Sequence, residues 1–159
     1  VSGEGKTFTS LNLASAMALG SKKTVVVGAD LRRPKLASYF SHSDKLGLST
    51  YLIGKANAED IIIPTQHENL FFVPSGVIPP NPAELLQTPK LLEFLAFLEE
   101  RFDIIVFDTP PMGLVSETID LMRLFDINLY VVRQNYTVKD HLVMINDLFN
   151  NKQVKSVYG

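Results

Sequence analysis

The densest chemistry in the chain sits at its start, in Gly3-Glu4-Gly5-Lys6-Thr7. Two glycines let backbone N–H groups turn inward around an anion. A lysine can reach the outer phosphates of a nucleoside triphosphate, and a threonine hydroxyl can ligate Mg2+. The helix expected directly afterwards aims the positive end of its dipole at the same anion. A bare Gly-Lys-Thr is also common by chance, and then marks only a glycine turn into a helix. The first glycine of the full GxxxxGK[ST] pattern would fall one position before Val1. What separates the two readings is whether carboxylates follow at the ends of buried strands.

Two do. Val25-Val26-Val27-Gly28-Ala29 runs into Asp30, and Ile104-Ile105-Val106-Phe107 runs into Asp108. A strand ending in an acid places that carboxylate at the carboxyl edge of a parallel sheet, where open α/β folds bind ligands. Asp108 has the placement expected of a carboxylate that holds Mg2+ through water. Asp30 could act on the Mg2+ shell or on the proton of an attacking group. It could also be a helix N-cap or an ion-pair partner for Arg32 and Arg33. The basic cluster Arg32, Arg33 and Lys35 reads as a solvated turn, with contact to phosphate, a partner subunit or an acidic peptide as the sharper option.

The elements that must position these residues are legible from hydropathy. Thr24–Ala29, Leu70–Val73, Asp103–Phe107 and Ile127–Val132 are short apolar runs without polar alternation, as expected for strands covered on both faces. Lys6–Leu19, Pro89–Arg101, Ser116–Phe125 and Val138–Phe149 have helical periodicity, and Gly20 is placed to close the first. Alternating strand and helix imply an α/β fold with a mostly parallel sheet sandwiched between helices. Pro74–Pro89 is the most loop-like stretch, and Glu84 within it is expected to cap or position a helix after Pro82.

Composition narrows the chemistry. The 159 residues, 46% apolar and 20% charged, suit one domain spanning 1–159 with a sizeable core. Net charge is −2 with no long basic run, so a broad nucleic-acid surface has no support. The absence of cysteine excludes disulfides and thiolate chemistry, and the scattered His42, His67 and His141 lack zinc-ligand spacing. Both ends read as cut: the chain opens directly before a helix and closes at Lys155–Gly159, where a strand is starting.

Taken together, GEGKT, VVVGADLRRP and IIVFDTPP resemble the Walker A, Walker A′ and Walker B motifs of the bacterial tyrosine kinases, P-loop NTPases related in fold to the ParA/MinD ATPases. Pro74-Ser75-Gly76, Pro79-Pro80-Asn81-Pro82-Ala83-Glu84-Leu85-Leu86 and Tyr130-Val131-Val132-Arg133 extend the resemblance almost to the last residue, and PPNPAELL separates this family from generic ParA/MinD relatives. The resemblance implies an autophosphorylating protein-tyrosine kinase that regulates capsular or exopolysaccharide assembly and export, using ATP and Mg2+. Gly3, Glu4, Gly5, Lys6, Thr7, Phe8 and Arg133 then form the candidate nucleotide-binding set. Lys6, Asp30 and Asp108 are the catalytic candidates, and Thr7, Asp30 and Asp108 the metal candidates. It also implies a ring or other oligomer of identical copies. The expected partner is a membrane-spanning polysaccharide co-polymerase, on the same or a separate chain, at the cytoplasmic side of the bacterial inner membrane.

One departure bears on mechanism. Walker A′ in this family reads acid-x-acid, whereas the first acidic position here is Gly28. The family assigns that acid a share in activating the tyrosine hydroxyl, so either Asp30, the remaining local candidate, does both jobs or the base arrives from outside these residues. A regulatory ATPase, or a nucleotide-binding scaffold without turnover, are the alternatives. The C-terminal tyrosine cluster of the family is absent from these residues, and Tyr158 reads as an ordinary strand residue.

Overall fold

The computed structural model describes residues 4–43, 45–111, 117–137, 140, 143, 146–147, 150 and 156–158. The chain divides into two compact units, one of Thr7–Pro110 and one of Val1–Lys6 with Pro111–Gly159.

The larger unit is built on a four-stranded sheet. Its strands are β1 (Thr24–Gly28), β2 (Ile63–Pro64), β3 (Leu70–Val73) and β4 (Ile104–Asp108), in the order β2-β3-β1-β4. β1 runs parallel to both neighbours, with Val26 opposite Phe72 on one side and Val106 on the other. Every residue of β1 is buried, which is why its sequence shows no polar alternation. β2 is a short antiparallel edge strand that its pattern did not announce. It holds Pro64, a residue tolerated only where no ladder N–H is needed.

Helices cover both faces of this sheet. Thr24, Val26 and Gly28 share one face with Leu70 and Phe72 and with Ile104, Val106 and Asp108, because in-register residues of neighbouring strands point the same way. On that face Val26, Leu70 and Phe72 pack with Ala14 and Ala18 of α1 (Lys6–Leu19) and with Leu36 of α2 (Leu36–Tyr39). Phe40 stacks on Phe72 with ring centroids 4.1 Å apart. The small side chains of α1 let its backbone lie close to the sheet and so fix where its N-terminus points. The opposite face receives Phe102, edge-on to Phe71, and α5 (Pro89–Glu99), whose Leu91, Phe94 and Leu98 are buried. Each such apolar side chain contributes about 1.5–3 kcal/mol.

Two further short helices lie outside the four segments with helical periodicity. α3 (Leu48–Leu52) is wholly buried, and α4 (Pro82–Leu86) opens on Pro82 within the proline-rich stretch. Asn81 Nδ2 donates to Glu84 Oε2 at 2.8 Å, so Glu84 does help position this helix start. Gly20 is not the left-handed residue that closes α1. That conformation falls on Ser21, with φ +60°, while the Lys22 N–H reaches the Met17 carbonyl at 3.1 Å.

The smaller unit holds α6 (Glu117–Leu124) and a parallel pair, β5 (Asn128–Leu129) with β6 (Val157–Tyr158). The expected buried strand over Ile127–Val132 is here reduced to two paired residues, and Ile127, Leu129 and Val132 are exposed. The alternation places polar Asn128 inside instead, where its Nδ2 donates to the Met122 carbonyl at 3.0 Å. A two-residue pair buries one side of the ribbon only, so the apolar neighbours of Asn128 face outward. Of the helix expected over Val138–Phe149, residues 140, 143, 146 and 147 are described and helical, and the others lie outside the described residues.

Candidate functional site

Within the larger unit two of the three metal candidates, Thr7 and Asp108, meet at the carboxyl end of β4. Thr7 Oγ1 donates to Asp108 Oδ2 at 2.6 Å across 101 positions of sequence. Asp108 is 4% exposed, and its short charge-assisted bond holds the carboxylate against the first turn of α1. The Asp108 carbonyl accepts the N–H groups of Ala29 and Asp30 at 2.9 and 3.1 Å, so the chain leaving β1 is fastened to the end of β4. Asp30 thus lies beside the backbone of Asp108. Its carboxylate, however, is turned into its own loop: Oδ1 accepts the N–H groups of Arg32 and Arg33 at 3.2 and 3.0 Å. This is an Asx-type turn made through backbone N–H groups.

Gly28 lies in register with Asp108 on β1 and β4. A Cβ added to Gly28 would stand 2.5 Å from Ser75 Oγ and 3.4 Å from Leu36 Cβ. The lane in which an acidic side chain would begin is therefore filled by the Ser75 hydroxyl. Ser75 is marked in the sequence only as part of Pro74-Ser75-Gly76, since a lone serine after a strand carries no signal of its own. Its position becomes visible only with the strand register.

The smaller unit contains the first part of the phosphate-loop motif. Gly3 lies outside the described residues. Gly5 has φ +99°, a conformation that requires glycine, and Lys6 opens α1 directly afterwards. Glu4 is buried and accepts a hydrogen bond from Thr137 Oγ1 at 2.8 Å. Thr137 Oγ1 in turn accepts the Arg133 N–H at 2.9 Å, so Thr137 ties Arg133 to the loop motif. No sequence pattern marked Thr137, since the tie depends on a turn over Arg133–Thr137. The Arg133 guanidinium lies 5.1 Å from the centre of the Tyr136 ring. Burial, and then the charge of Glu4, push the Tyr130 phenol above its ordinary pKa. Phe8, in the first turn of α1, is 63% exposed, an apolar ring set out from the helix start.

Among the described residues no three His, Cys, Asp or Glu side chains gather to hold a metal ion. Magnesium keeps several waters and takes one or two protein oxygens together with substrate phosphates. One buried carboxylate and one hydroxyl, hydrogen-bonded to each other, are such a donor set. Among the described residues no helix is long and apolar enough to cross a membrane.

Residues 2–133 match the AAA domain family model. The chain belongs to this family. Its relatives specify the branch. It is 36% identical over 143 residues to the tyrosine-protein kinase CpsD of Streptococcus agalactiae serotype III, a match covering 86% of this chain and 62% of that protein. The kinase domain of the Escherichia coli tyrosine kinase ETK superposes with a TM-score of 0.91 at 29% identity, over 100% of this chain and 62% of that one. The septum site-determining protein MinD of Pyrococcus horikoshii, complexed with Mg-ADP, superposes at 0.80 with 24% identity, over 100% of this chain and 65% of that one, which shows the shared fold. This AAA domain is thus of the bacterial tyrosine kinase type, and its fold is that of the P-loop NTPases. It spans about three-fifths of the length of CpsD.

Proposed function

We propose that residues 1–159 form one P-loop domain that transfers the γ-phosphoryl group of ATP to tyrosine, in a protein regulating capsular or exopolysaccharide assembly. The observation that carries this reading is the 2.6 Å bond from Thr7 to the buried Asp108, which joins the last residue of the loop motif to the strand-end acid. The kinase names of the relatives support this reaction class.

Phosphoryl transfer asks a protein for positioning and charge stabilisation more than for covalent chemistry. In this reading the N–H groups of Gly3, Glu4 and Gly5 cradle phosphates, and Lys6 neutralises charge on the outer ones. Phe8 and Arg133 line the nucleotide. Thr7 and Asp108 would hold Mg2+ with Asp30 near its shell, and the bound ion would neutralise charge developing on the phosphates. A tyrosine hydroxyl, with an ordinary pKa of about 10, needs a base at neutral pH. Asp30 is the local carboxylate available for that proton. The acceptor tyrosine belongs to a neighbouring copy, and a membrane-spanning polysaccharide co-polymerase at the inner face of the inner membrane is the activating partner.

The Ser75 hydroxyl filling the Gly28 lane favours a second reading, a regulatory ATPase without tyrosine transfer. A phosphotyrosine assay on the full-length protein with Mg-ATP, beside Lys6→Met, tests both. Phosphotyrosine that disappears in the variant supports the kinase. Phosphate release without phosphotyrosine overturns it in favour of the ATPase.

A further inference from the structure

Ser75 is a buried polar group that the proposed mechanism leaves unused. It is 2% exposed, and its hydroxyl has no hydrogen-bond partner among the described residues; only its backbone carbonyl is engaged, accepting the Ser49 N–H at 2.9 Å. Buried hydroxyls are almost always satisfied, by protein or by ordered water. A serine that the fold buries without a protein partner therefore marks a place where water or a ligand supplies the bond.

Its location says which bond. Ser75 Oγ stands 2.5 Å from where a Gly28 Cβ would be, so it projects into the side-chain lane of Gly28. Gly28 is in register with Asp108, and the two lanes lie on one face of the sheet. Neighbouring lanes on parallel strands are about 5 Å apart. That separation is too long for a direct hydrogen bond and close to the span of one bridging water. Asp108 already receives Thr7 from α1 on that face. Three strand or helix ends thus present a hydroxyl, a carboxylate and a second hydroxyl side by side, all within one compact unit.

We propose that Ser75 is a positioning residue of the Thr7–Asp108 metal half-site: its hydroxyl, seated in the Gly28 lane, holds a water that bridges to Asp108. This rests on the reading of Thr7 and Asp108 as magnesium ligands. Glycine at position 28 is then required by the arrangement, because any larger residue turns the hydroxyl out of the lane. The water orders the Asp108 carboxylate and belongs to the hydrated shell that Mg2+ retains.

The test is ATP binding to the full-length protein by titration calorimetry, in EDTA and across a Mg2+ series, for wild type, Ser75→Ala and Gly28→Ala. Gly28→Ala displaces the hydroxyl without removing it, so the two variants reach the same defect by different routes. Both should need about fivefold more Mg2+ for half-maximal enhancement of ATP binding, the loss of roughly one hydrogen bond. Affinity in EDTA should match wild type. The urea midpoint of nucleotide-free Ser75→Ala should be unchanged or higher, because no protein partner is lost. A wild-type Mg2+ requirement in either variant overturns the inference while leaving the magnesium site intact. So does an equal loss of affinity with and without Mg2+, or a lowered midpoint in Ser75→Ala, which would make Ser75 a purely structural residue. Wild-type binding that is indifferent to Mg2+ overturns the metal reading and this inference together.

Discussion

Thr7 and Asp108 are 101 residues apart in sequence and 2.6 Å apart as hydrogen-bonding partners, the hydroxyl donating and the carboxylate accepting. The bond couples the start of α1 to the end of β4, so it is both a tertiary restraint and the core of the proposed metal half-site. Thr7→Val keeps the shape of the side chain and removes the donor. Asp108, which is buried, then loses one of its partners, and stability should fall by about 1–3 kcal/mol in urea denaturation. The Mg2+ requirement of ATP binding should rise in the same variant. Thr7→Ser restores the donor and should recover most of both losses. A Thr7→Val protein as stable as wild type would show that the bond carries no net weight.

The end of α1 offers an independent check. Ser21 holds φ +60° and closes the helix, while Gly20 just before it does not take that conformation. A left-handed non-glycine residue costs about 1 kcal/mol. Ser21→Gly should therefore raise stability by up to about 1 kcal/mol, after the larger unfolded-state entropy of glycine is subtracted. Thermal unfolding reads this directly, with Gly20→Ala as the contrasting variant. That change places a Cβ 3.3 Å from the Met17 carbonyl at a residue without positive φ, and it should bring no comparable gain.

These two pairs show what the sequence could and could not say. Val25–Val27 and Ile104–Val106 are apolar on both faces, so the full burial of β1 and the placing of Asp108 at a sheet end were readable from hydropathy alone, whereas β4, at the edge of the sheet, is only half-buried up to Asp108. Motif order marked Thr7 and Asp108 each as a candidate, but not the direct hydrogen bond between them. Two kinds of information were not in the string. One is local conformation: nothing in Gly20-Ser21 says which residue turns left-handed. The other is lateral register, which decides that Ser75 and not a carboxylate fills the space beside Gly28. Ile127–Val132 misled for a related reason. Apolar character predicts burial only where a strand has neighbours to cover it, and β5 pairs through two residues with Asn128 inside.

Tyr51 gives a prediction in pH. It is 8% exposed, its ring centre lies 5.0 Å from that of Phe94, and its hydroxyl has no hydrogen-bond partner among the described residues. Burial, then the charges of Glu93 and Glu59, raise its pKa above the ordinary value of 10.0. Below that value the phenol is neutral in both folded and unfolded chains. As pH rises past it the unfolded chain ionises first, so the stability contributed by the neutral buried form is lost progressively up to the folded pKa. Tyr51→Phe should match wild type within about 0.5 kcal/mol at neutral pH. It should also decline less steeply than wild type when urea midpoints are followed above pH 10. Parallel declines would show that other groups govern the alkaline limb.

The role of Asp30 can be separated from its structure, because the structure tells which substitution preserves the turn. One carboxylate oxygen accepts the N–H groups of Arg32 and Arg33, and the side-chain carbonyl of asparagine can accept the same pair. Asp30→Asn should therefore fold with stability within about 0.5 kcal/mol of wild type, whereas Asp30→Ala should lose about 0.5–2 kcal/mol with its turn. Against that background, the rate of phosphotyrosine formation isolates the chemistry. A general base contributes about 100-fold or more, so Asp30→Asn should lower the rate by at least that factor at neutral pH. Raising the pH toward the tyrosine pKa should recover part of the loss, since the acceptor then ionises unaided. An Asp30→Asn protein with an unchanged rate would make Asp30 a turn former only. With Gly28 contributing no side chain, the proton of the acceptor would then have to leave to solvent or to a carboxylate on the neighbouring copy.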